Sequence, residues 1–504
     1  MNSFQPFADF SHTILIDGEF QRSAATGSFD VIDPASAEVV GTVADSTDAE
    51  LDTAIAGALV AQRAWSRLSA LDRTDALHRI ANSIEENQAL LAESLTREMG
   101  KPYKEAFDEA YWAILAFRHY AETSRLDNGR IAGPVVGGHQ NYVTKHPLGV
   151  VGIIMTFNFP FCLFAWEAAA ALGAGNAVVL KPSEQTSLSS LLLMRCLLPH
   201  LPSGLIACVT GGGRIGGGLV AHRDVHGVAF TGSVTVGKMV ASACAETFKK
   251  ALIETSGNDP FIVMPSADLD VAARAAVFAA FFNAGQVCTS AERFYIHEAI
   301  YDDFVSKVID LAREVRIGNG LDHVDMGPMV SERERTRFEA LVNRAIEEGA
   351  SVAFGGGRPA GLDKGFFVNP VILKDVSPDA EIMNVESFGP VMSICKVADF
   401  DEAIVLSNRS EYGLGSTVYT TDLKETARAI EELECGMTWI NAPLMDNNAQ
   451  PFGGRKLSGI GSQLGSEGLD QFRHSKMVMI DPDCTSQDFW WFPYSDKEAF
   501  GGDQ

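Results

Sequence analysis

The chain has 504 residues, which is too long for one hydrophobic core and predicts two or three domains. Apolar residues make up 46% and charged residues 21%, as in a folded protein, and the net charge of −25 argues against nucleic acid or anionic membranes as partners. Eight scattered cysteines, no Cys/His spacing typical of a metal site, and an N-terminus without the features of a secretory signal predict a cytoplasmic protein with free thiols and no metal.

The patterning changes from strand-like to helical near residue 48. Residues 13–45 alternate apolar and polar around glycines and a proline, which predicts short antiparallel strands. Residues 48–120 place apolar side chains near the helical period, behind a Ser46-Thr47-Asp48 N-cap. A glycine-rich loop is expected over residues 127–138, and an exposed strand, at the edge of a sheet, over residues 141–147.

Strands and helices alternate from residue 148 to residue 254. The expected strands are 150–155, 177–180, 206–209, 228–230 and 250–253, and the expected helices are 161–173, 187–198, 216–222 and 234–246. Short apolar strands separated by helices indicate a parallel sheet covered on both faces, as in a doubly wound nucleotide-binding domain. A second α/β set follows from residue 261 to about 438. The tail predicts a strand at 477–480 and then an aromatic cluster at 488–494, which we expect at a subunit interface.

Three isolated polar side chains stand in apolar stretches of the sequence. Cys288 lies among small and apolar residues, Glu254 ends an apolar run, and Asn158 sits in an aromatic loop. Cys288 taken alone would be predicted as inert packing, because a free cysteine usually behaves as a small buried hydrophobe. A thiol, a carboxylate and an amide in such settings are together what acyl chemistry at a thioester requires.

Three turns that follow predicted strands indicate a dinucleotide site. The residues 210–216 are rich in glycine, residues 230–237 contain Thr-Gly-Ser, and Lys181-Pro182-Ser183-Glu184 ends a strand. Glycines at such turns let the backbone approach a diphosphate at a helix N-terminus. The spacing GxGxxG is not kept, so a tight turn explains residues 210–216 equally well, and a solvated loop is the alternative for residues 181–184.

These stretches resemble the aldehyde dehydrogenase family. The KPSE loop, the FTGS turn, the stretch Glu386-Ser387-Phe388-Gly389-Pro390 and the 34-residue separation of Glu254 from Cys288 all have counterparts there, and the resemblance covers essentially the whole chain. It implies an α/β fold with a Rossmann-like NAD-binding domain, an α/β catalytic domain and a small β oligomerisation unit. The implied boundaries are 1–127 with 148–256, then 257–456, then 128–147 with 457–504.

By this resemblance, Cys288 is the nucleophile, Asn158 stabilises the alkoxide, and Glu254 activates the water that hydrolyses the thioester. The implied NAD-binding residues are Lys181, Glu184, Gly212, Gly216, Gly232, Ser233, Gly237, Glu386 and Phe388. A carboxylate facing the ribose would repel a 2′-phosphate, so NAD is expected rather than NADP. Ser256 and Asn258 depart from the family pattern beside Glu254, which leaves the geometry of that loop open.

The implied substrate tunnel is lined by Trp112, Phe159, Leu163, Trp166, Phe278, Phe282, Val287, Asp446 and Phe452. Its aromatic wall favours an aromatic or apolar aldehyde. Asp446 suits a hydroxyl, an amine, a cation or plain water.

The expected function is NAD-dependent oxidation of an aldehyde to the carboxylic acid in a homodimer or homotetramer. Two alternatives stay open. One is a coenzyme A-acylating semialdehyde dehydrogenase, against which the presence of Glu254 argues, and the other is a catalytically silent structural oligomer.

Overall fold

The structure is a computed structural model that describes residues 5–487 and 491–492. Helices α1 to α15 span Gln5–Ala8, Asp48–Trp65, Ala70–Glu86, Gln88–Met99, Tyr103–Leu126, Pro160–Gly173, Ser187–Leu197, Gly213–Ala221, Val234–Ala245, Leu269–Phe281, Tyr301–Arg313, Glu332–Glu347, Phe400–Asn408, Leu423–Glu432 and Gly465–Gln471. Strands β1 to β20 span Thr13–Ile16, Glu19–Arg22, Ser28–Asp33, Glu38–Ala44, Gly129–Ala132, Gln140–Pro147, Val150–Ile154, Ala177–Lys181, Ile206–Cys208, Gly227–Thr231, Lys250–Glu254, Asp259–Val263, Ala291–His297, Ser351–Gly355, Val371–Lys374, Val391–Val397, Thr417–Tyr419, Trp439–Ile440, Gly459–Ile460 and Arg473–Ile480.

The first sheet has the strand order β19-β11-β10-β7-β8-β9-β1-β2. Strands β11, β10, β7, β8 and β9 run parallel, and the outer strands join them antiparallel. Every residue of β7, β8 and β10 is buried, because helices cover the sheet, among them α2, α6, α8 and α9. This is the doubly wound arrangement that the alternation of short apolar strands and helices predicts.

The second sheet has the strand order β14-β15-β16-β13-β12-β17-β18 and is parallel except for β14. Each of the two large sheets has its own hydrophobic core. The predicted α/β fold class is therefore confirmed. The domain boundaries stay a prediction, and residues 459–460 pair with β11 of the first sheet although they fall within the expected oligomerisation segment.

A third sheet has the antiparallel order β20-β6-β5. The expectation of an edge strand at residues 141–147 is wrong, because β6 lies between the other two strands. The expectation of a loop over residues 127–138 is wrong in part, because β5 forms there. The positive φ of 128° at Gly129 and the 91% exposure of Ile131 explain why the sequence pattern hid this strand.

Several local expectations are borne out within one to three residues. Thr47 caps α2 in a capping box with Glu50, and α8 begins three residues before its expected start at residue 216. The expected aromatic cluster at 488–494 lies outside the described residues except for Trp491 and Phe492, which are exposed. Across the described ranges, no helix is long and apolar enough to cross a membrane, and no group of three or more His, Cys, Asp or Glu side chains is placed to hold a metal ion.

Candidate active site

Four parallel strands end at the same edge of the first sheet. Asn158 follows β7, Lys181 ends β8, Ser233 follows β10, and Glu254 is the last residue of β11. The strand register places Ile154 beside Lys181 and Thr231 beside Glu254. The sheet therefore brings four of the predicted site residues together, at the edge where open α/β sheets bind ligands.

Cys288 follows a tight turn that the second sheet supports. Asn283 and Ala284 adopt left-handed backbone conformations with φ of 51° and 53°. Gly285 has a φ of 69°, and a Cβ there would lie 2.2 Å from the carbonyl carbon of Gly389. The Gln286 side chain accepts a hydrogen bond from the Val330 N–H at 2.9 Å, which connects the turn to the loop before α12. These contacts fix the backbone that carries the nucleophile.

Two cavities meet at Cys288. The cavity on the first-sheet side has a volume of about 540 Å³ and is lined by Asn158, Glu254, Glu386 and Phe388. The cavity on the other side has a volume of about 770 Å³, and five Trp and Phe side chains line it together with aliphatic and polar residues. Among the residues that line either cavity, Cys288 alone lines both. A thiol in this position can reach a group bound on either side.

The Asn158 side chain has the geometry of an oxyanion donor. It is buried, and its Nδ2 donates one hydrogen bond to the Gln286 carbonyl at 3.1 Å. A primary amide carries two N–H groups, so one remains for an oxygen bound beside Cys288. The predicted grouping of Asn158 with Cys288 and Glu254 is present in the structure, because all three line one cavity.

A buried ion pair that the sequence did not reveal supports this loop. The Lys101 ammonium donates to Glu109 Oε2 at 2.5 Å and to the Asn158 carbonyl at 2.6 Å, and it lies 3.9 Å from the centroid of the Phe159 ring. Neither side chain of the pair is exposed. Glu109 Oε1 accepts a hydrogen bond from the Phe161 N–H at 2.8 Å. Lys101 and Glu109 thus hold both ends of the segment that carries Asn158.

Glu254 has the environment of a general base. Only 2% of its surface is exposed, and burial raises its pKa from 4.5 to about 8. Neither carboxyl oxygen accepts a hydrogen bond, although the Cys288 thiol and the Thr231 hydroxyl are its polar neighbours. Burial, followed by the charge of Glu254, also raises the pKa of the Cys288 thiol well above its usual value. Both shifts favour the protonated, uncharged forms of these two neighbouring groups.

A second buried carboxyl lies behind Glu254. Glu167 is fully buried in α6, and it accepts a hydrogen bond from Gln463 Nε2 at 2.7 Å. Burial raises its pKa well above the usual value, and the charge of Glu254 adds to that rise. The sequence contained a signal for Glu167, because it is an acid inside a helix whose other residues are all apolar. No pattern singled out Lys101, whose partners are remote in sequence.

The predicted cofactor residues form two groups. Lys181, Glu184, Gly216, Gly232 and Ser233 line a further cavity of about 540 Å³ between α8 and α9. Gly212 and Gly237 do not line this cavity but lie next to residues near it. A Cβ at Gly212 would lie 3.5 Å from Glu184 Oε1, and a Cβ at Gly237 would lie 2.6 Å from the Thr255 side chain, so glycine at 237 lets α9 approach β11.

This cavity has features that suit the adenosine and diphosphate parts of a nicotinamide dinucleotide. A Cβ at Gly213 or Gly217 would meet nothing within 4 Å, and both residues line the cavity. The backbone of α8 is therefore accessible from the cavity, with no side chain in between at these two positions. Ser233 caps α9, whose first N–H groups face an incoming anion. The Lys181 ammonium lies 3.5 Å from Glu184 Oε1. A hydrogen-bond donor and an acceptor for ribose hydroxyls are therefore close together.

Glu386 and Phe388 lie in the cavity next to Cys288, where the nicotinamide end would reach. Glu386 Oε1 accepts a hydrogen bond from the Gly257 N–H at 3.1 Å, and burial raises the Glu386 pKa to about 8. Phe388 has a φ of 46° and contacts Phe157 edge to face at 5.9 Å. The buried Glu292 carboxylate holds this strained turn, since it accepts the N–H groups of Ser387 and Phe388 at 2.8 and 2.9 Å.

The aromatic cavity contains the predicted tunnel residues with one exception. Those that line it are Trp112, Phe159, Leu163, Trp166, Phe282, Val287, Asp446 and Phe452. Phe278 does not line the cavity. It is 49% exposed on the outer side of α10 and packs behind Phe282 at 5.1 Å between ring centroids. Two residues four positions apart in one helix lie on the same face. Phe278 and Phe282 do not, because α10 ends at Phe281.

Comparison with known proteins agrees with this arrangement. The aldehyde dehydrogenase family model matches residues 20–478. An aminoaldehyde dehydrogenase of Arabidopsis thaliana is 34% identical over 95% of this chain and 97% of its own, and a glutarate-semialdehyde dehydrogenase of Pseudomonas putida is 36% identical over 94% and 98%. The crystal structure of betaine aldehyde dehydrogenase from Staphylococcus aureus in complex with NAD+ superposes with a TM-score of 0.93 at 31% identity, covering 97% of this chain and 99% of that one. The chain therefore belongs to the aldehyde dehydrogenase family and is an oxidoreductase.

Proposed function

We propose that the protein oxidises an aldehyde to the free carboxylic acid with NAD, through a thiohemiacetal and a thioester on Cys288. The observation that carries this proposal is the position of Cys288 at the junction of the two cavities, with Asn158 and Glu254 beside it. The aldehyde reaches the thiol from the aromatic side, and the nicotinamide reaches it from the other side. Each of the three predicted catalytic residues then has a task that its surroundings suit.

The chemistry proceeds at the Cys288 sulfur. Ionised Glu254 takes the proton of the Cys288 thiol and releases it to solvent, and the thiolate adds to the carbonyl carbon. The free N–H of Asn158 and the Cys288 backbone N–H stabilise the alkoxide, for which one such donor contributes about 3 kcal/mol. When bound, NAD supplies the acceptor for the hydride that leaves the thiohemiacetal carbon. Glu254 then takes a proton from water, the hydroxide adds to the thioester, and the C–S bond breaks to release the acid and the thiolate.

Hydrolysis is favoured over transfer to coenzyme A. Glu254 lies 2% exposed next to the sulfur, and its pKa is raised to about 8, so the ionised form that takes a proton from water accumulates as the pH rises towards and above 8. A coenzyme A-acylating enzyme and a silent structural oligomer are the alternatives. A coenzyme A-acylating enzyme does not need a base that activates water. A silent structural oligomer does not need a thiol, an amide and a carboxyl group together where the two cavities meet.

We propose NAD as the preferred cofactor because Glu184 faces the cavity that fits adenosine. A carboxylate there accepts hydrogen bonds from the ribose hydroxyls and repels the 2′-phosphate of NADP. The aromatic cavity further supports an aldehyde with an apolar or aromatic body. The relatives do not choose among substrates, since an aminoaldehyde and a glutarate-semialdehyde dehydrogenase are about equally similar to this chain. A homodimer or homotetramer in the cytoplasm is likewise proposed.

The decisive experiment follows NADH formation with benzaldehyde and hexanal, in the presence and absence of coenzyme A. We expect steady turnover that needs no coenzyme A and yields the free acid. Cys288→Ala should form no NADH, and Glu254→Gln should form about one NADH per active site and then stall as the thioester. Acyl-coenzyme A as the main product, or no NADH from a folded protein that binds NAD, would overturn the proposal.

A further inference from the structure

A carboxylate stands alone in the aromatic cavity. Besides apolar, amide and hydroxyl side chains, the ionisable groups that line this cavity are His119, Cys162, Cys288 and Asp446, and no lysine or arginine among the described residues lines it. Burial lowers the pKa of His119 and raises those of both thiols, so these three are neutral near pH 7. Of the described residues that line the cavity, Asp446 is therefore the one that is charged at neutral pH, and it gives this lining a net negative charge.

Asp446 has no partner within the described part of the chain. No hydrogen bond or ion pair from a described residue reaches its carboxylate, and Asp446 is exposed to solvent although it lines the cavity. The neighbouring protein atoms raise its pKa to about 6, which leaves it ionised near pH 7. A carboxylate that lines an otherwise uncharged cavity attracts a cation that enters it. Asp446 thus gives the cavity a negative charge that no described residue neutralises.

The loop that carries Asp446 is held in place. Trp439 Nε1 donates to the Met445 carbonyl at 2.9 Å, immediately before Asp446. The Gly465 N–H donates to the Asn448 carbonyl at 2.9 Å, and the Ala449 N–H donates to Asn447 Oδ1 at 3.0 Å. These hydrogen bonds fix the backbone on both sides of Asp446 before any ligand arrives, which reduces the entropy that the loop loses on binding.

The aromatic rings of the cavity suit a positive charge as well as an apolar body. Trp112, Phe159 and Phe282 form one group with centroids 5.9 to 6.4 Å apart, and Trp166 and Phe452 form another at 4.9 Å. The face of an aromatic ring attracts a cation, and a quaternary ammonium group with its methyl surface fits such a site without losing hydrogen bonds to water. An anionic aldehyde meets only repulsion here.

We propose that the aldehyde oxidised at Cys288 carries a positively charged, substituted ammonium group, which Asp446 and the surrounding rings bind. This inference rests on the proposed function, since it names the substrate class of the same site. The positive group lies against Asp446, the carbon chain lies among the rings, and the carbonyl reaches the sulfur.

The test compares cationic aldehydes with neutral aldehydes of the same shape. Trimethylammonioacetaldehyde is paired with 3,3-dimethylbutanal, and 4-(trimethylammonio)butanal with 5,5-dimethylhexanal, so that each pair differs only in a nitrogen cation or a carbon. The measured quantity is the ratio of kcat/KM for the cationic to the neutral member of a pair. We expect a ratio above roughly ten for at least one pair, and the anionic 5-oxopentanoate to be the poorest substrate.

The Asp446→Asn variant should lower that ratio about tenfold, because the amide keeps the size and loses the charge. Asp363→Asn is the matched control, since it removes one exposed carboxylate outside the cavity lining and should leave the ratio unchanged. If the neutral aldehydes are oxidised but the ratio is near one, or does not respond to Asp446→Asn, the inference is overturned and the proposed function stands. If a protein that binds NAD oxidises none of these aldehydes, both the proposed function and the inference about its substrate are overturned.

Discussion

Gly257 lies against the backbone of Cys288 so closely that a Cβ at residue 257 would stand 2.1 Å from the Cys288 carbonyl oxygen. The loop after Glu254 and the loop of the nucleophile come from different sheets, and this contact sets their separation. The Gly257 N–H also donates to Glu386. One glycine thus joins the predicted base, nucleophile and ribose-binding acid.

Gly257→Ala should push the two loops apart. We expect kcat/KM to fall by roughly a hundredfold, because misplacement of reacting groups by about 1 Å has that effect, and the free energy of unfolding to fall by about 1–3 kcal/mol. Gly133→Ala is the control, because a Cβ there meets nothing within 4 Å. Steady-state kinetics and urea unfolding of both variants check this, and a Gly257→Ala enzyme with full activity would contradict it.

The buried acid Glu254 should make the protein less stable as the pH rises. Its pKa is about 8 in the folded state and 4.5 in an ordinary setting, so between these values the unfolded chain releases a proton that the folded protein keeps. The free energy of unfolding therefore falls with rising pH in this window, by up to about 1.4 kcal/mol per pH unit from this group. The Glu254→Gln variant lacks this ionisable group, so its free energy of unfolding should not show this contribution to the fall with pH.

Thermal unfolding of Glu254→Gln and the wild type at about pH 5 and about pH 8 measures the effect. We expect the Tm difference, variant minus wild type, to be larger at the higher pH. Glu411→Gln, at an exposed position in the loop before β17, is the control for the loss of a surface carboxyl. An equal Tm difference for Glu254→Gln at the two pH values would show that the carboxyl is ionised in the folded protein.

The sequence predicted the parts of the fold that local pattern determines. Short apolar strands such as 150–154 can be buried on both faces only in a covered parallel sheet, and the residues at their carboxyl ends then meet at one edge. Cys288, Glu254 and Asn158 were found by contrast with their apolar neighbours. Strand β5 was missed because its glycine and exposed side chains give no alternation of burial.

Contacts made by ordinary-looking charges could not be predicted from the sequence. Lys101 is followed by Lys104, and nothing local shows that the first is fully buried and the second is 77% exposed. The difference arises from packing against the Asn158 loop, 57 residues away. Phe278 illustrates the converse, because an aromatic residue near tunnel residues in sequence points away from the tunnel once its helix ends.

Glu184 should control the choice between NAD and NADP. Its carboxylate lies 3.5 Å from the Lys181 ammonium. Glu184→Gln removes the charge that repels a 2′-phosphate and leaves Lys181 to attract it. We expect the ratio of kcat/KM for NADP to that for NAD to rise at least about tenfold, and Lys181→Met in the same background to reverse the gain. An unchanged ratio would place the 2′-hydroxyl away from Glu184.

Lys101 should position the oxyanion loop. Lys101→Met leaves Glu109 buried without its cation and removes the donor to the Asn158 carbonyl, so we expect the free energy of unfolding to fall by about 3–5 kcal/mol and kcat to fall at least about tenfold. Lys104→Met is the matched control. Its exposed pair with Asp108 on the same helix contributes less than about 1 kcal/mol, and kcat should not change.

A double variant separates positioning from stability. Lys101→Met with Glu109→Gln leaves no unpaired buried charge, so it should regain much of the lost unfolding free energy. The Asn158 carbonyl still lacks its ammonium partner, so kcat should remain low while the KM for NAD, whose cavity Lys101 does not line, stays near the wild-type value. If kcat recovers together with stability, Lys101 serves only to hold the fold. If kcat stays low in a stable protein, the ammonium sets the position of the donor that stabilises the alkoxide.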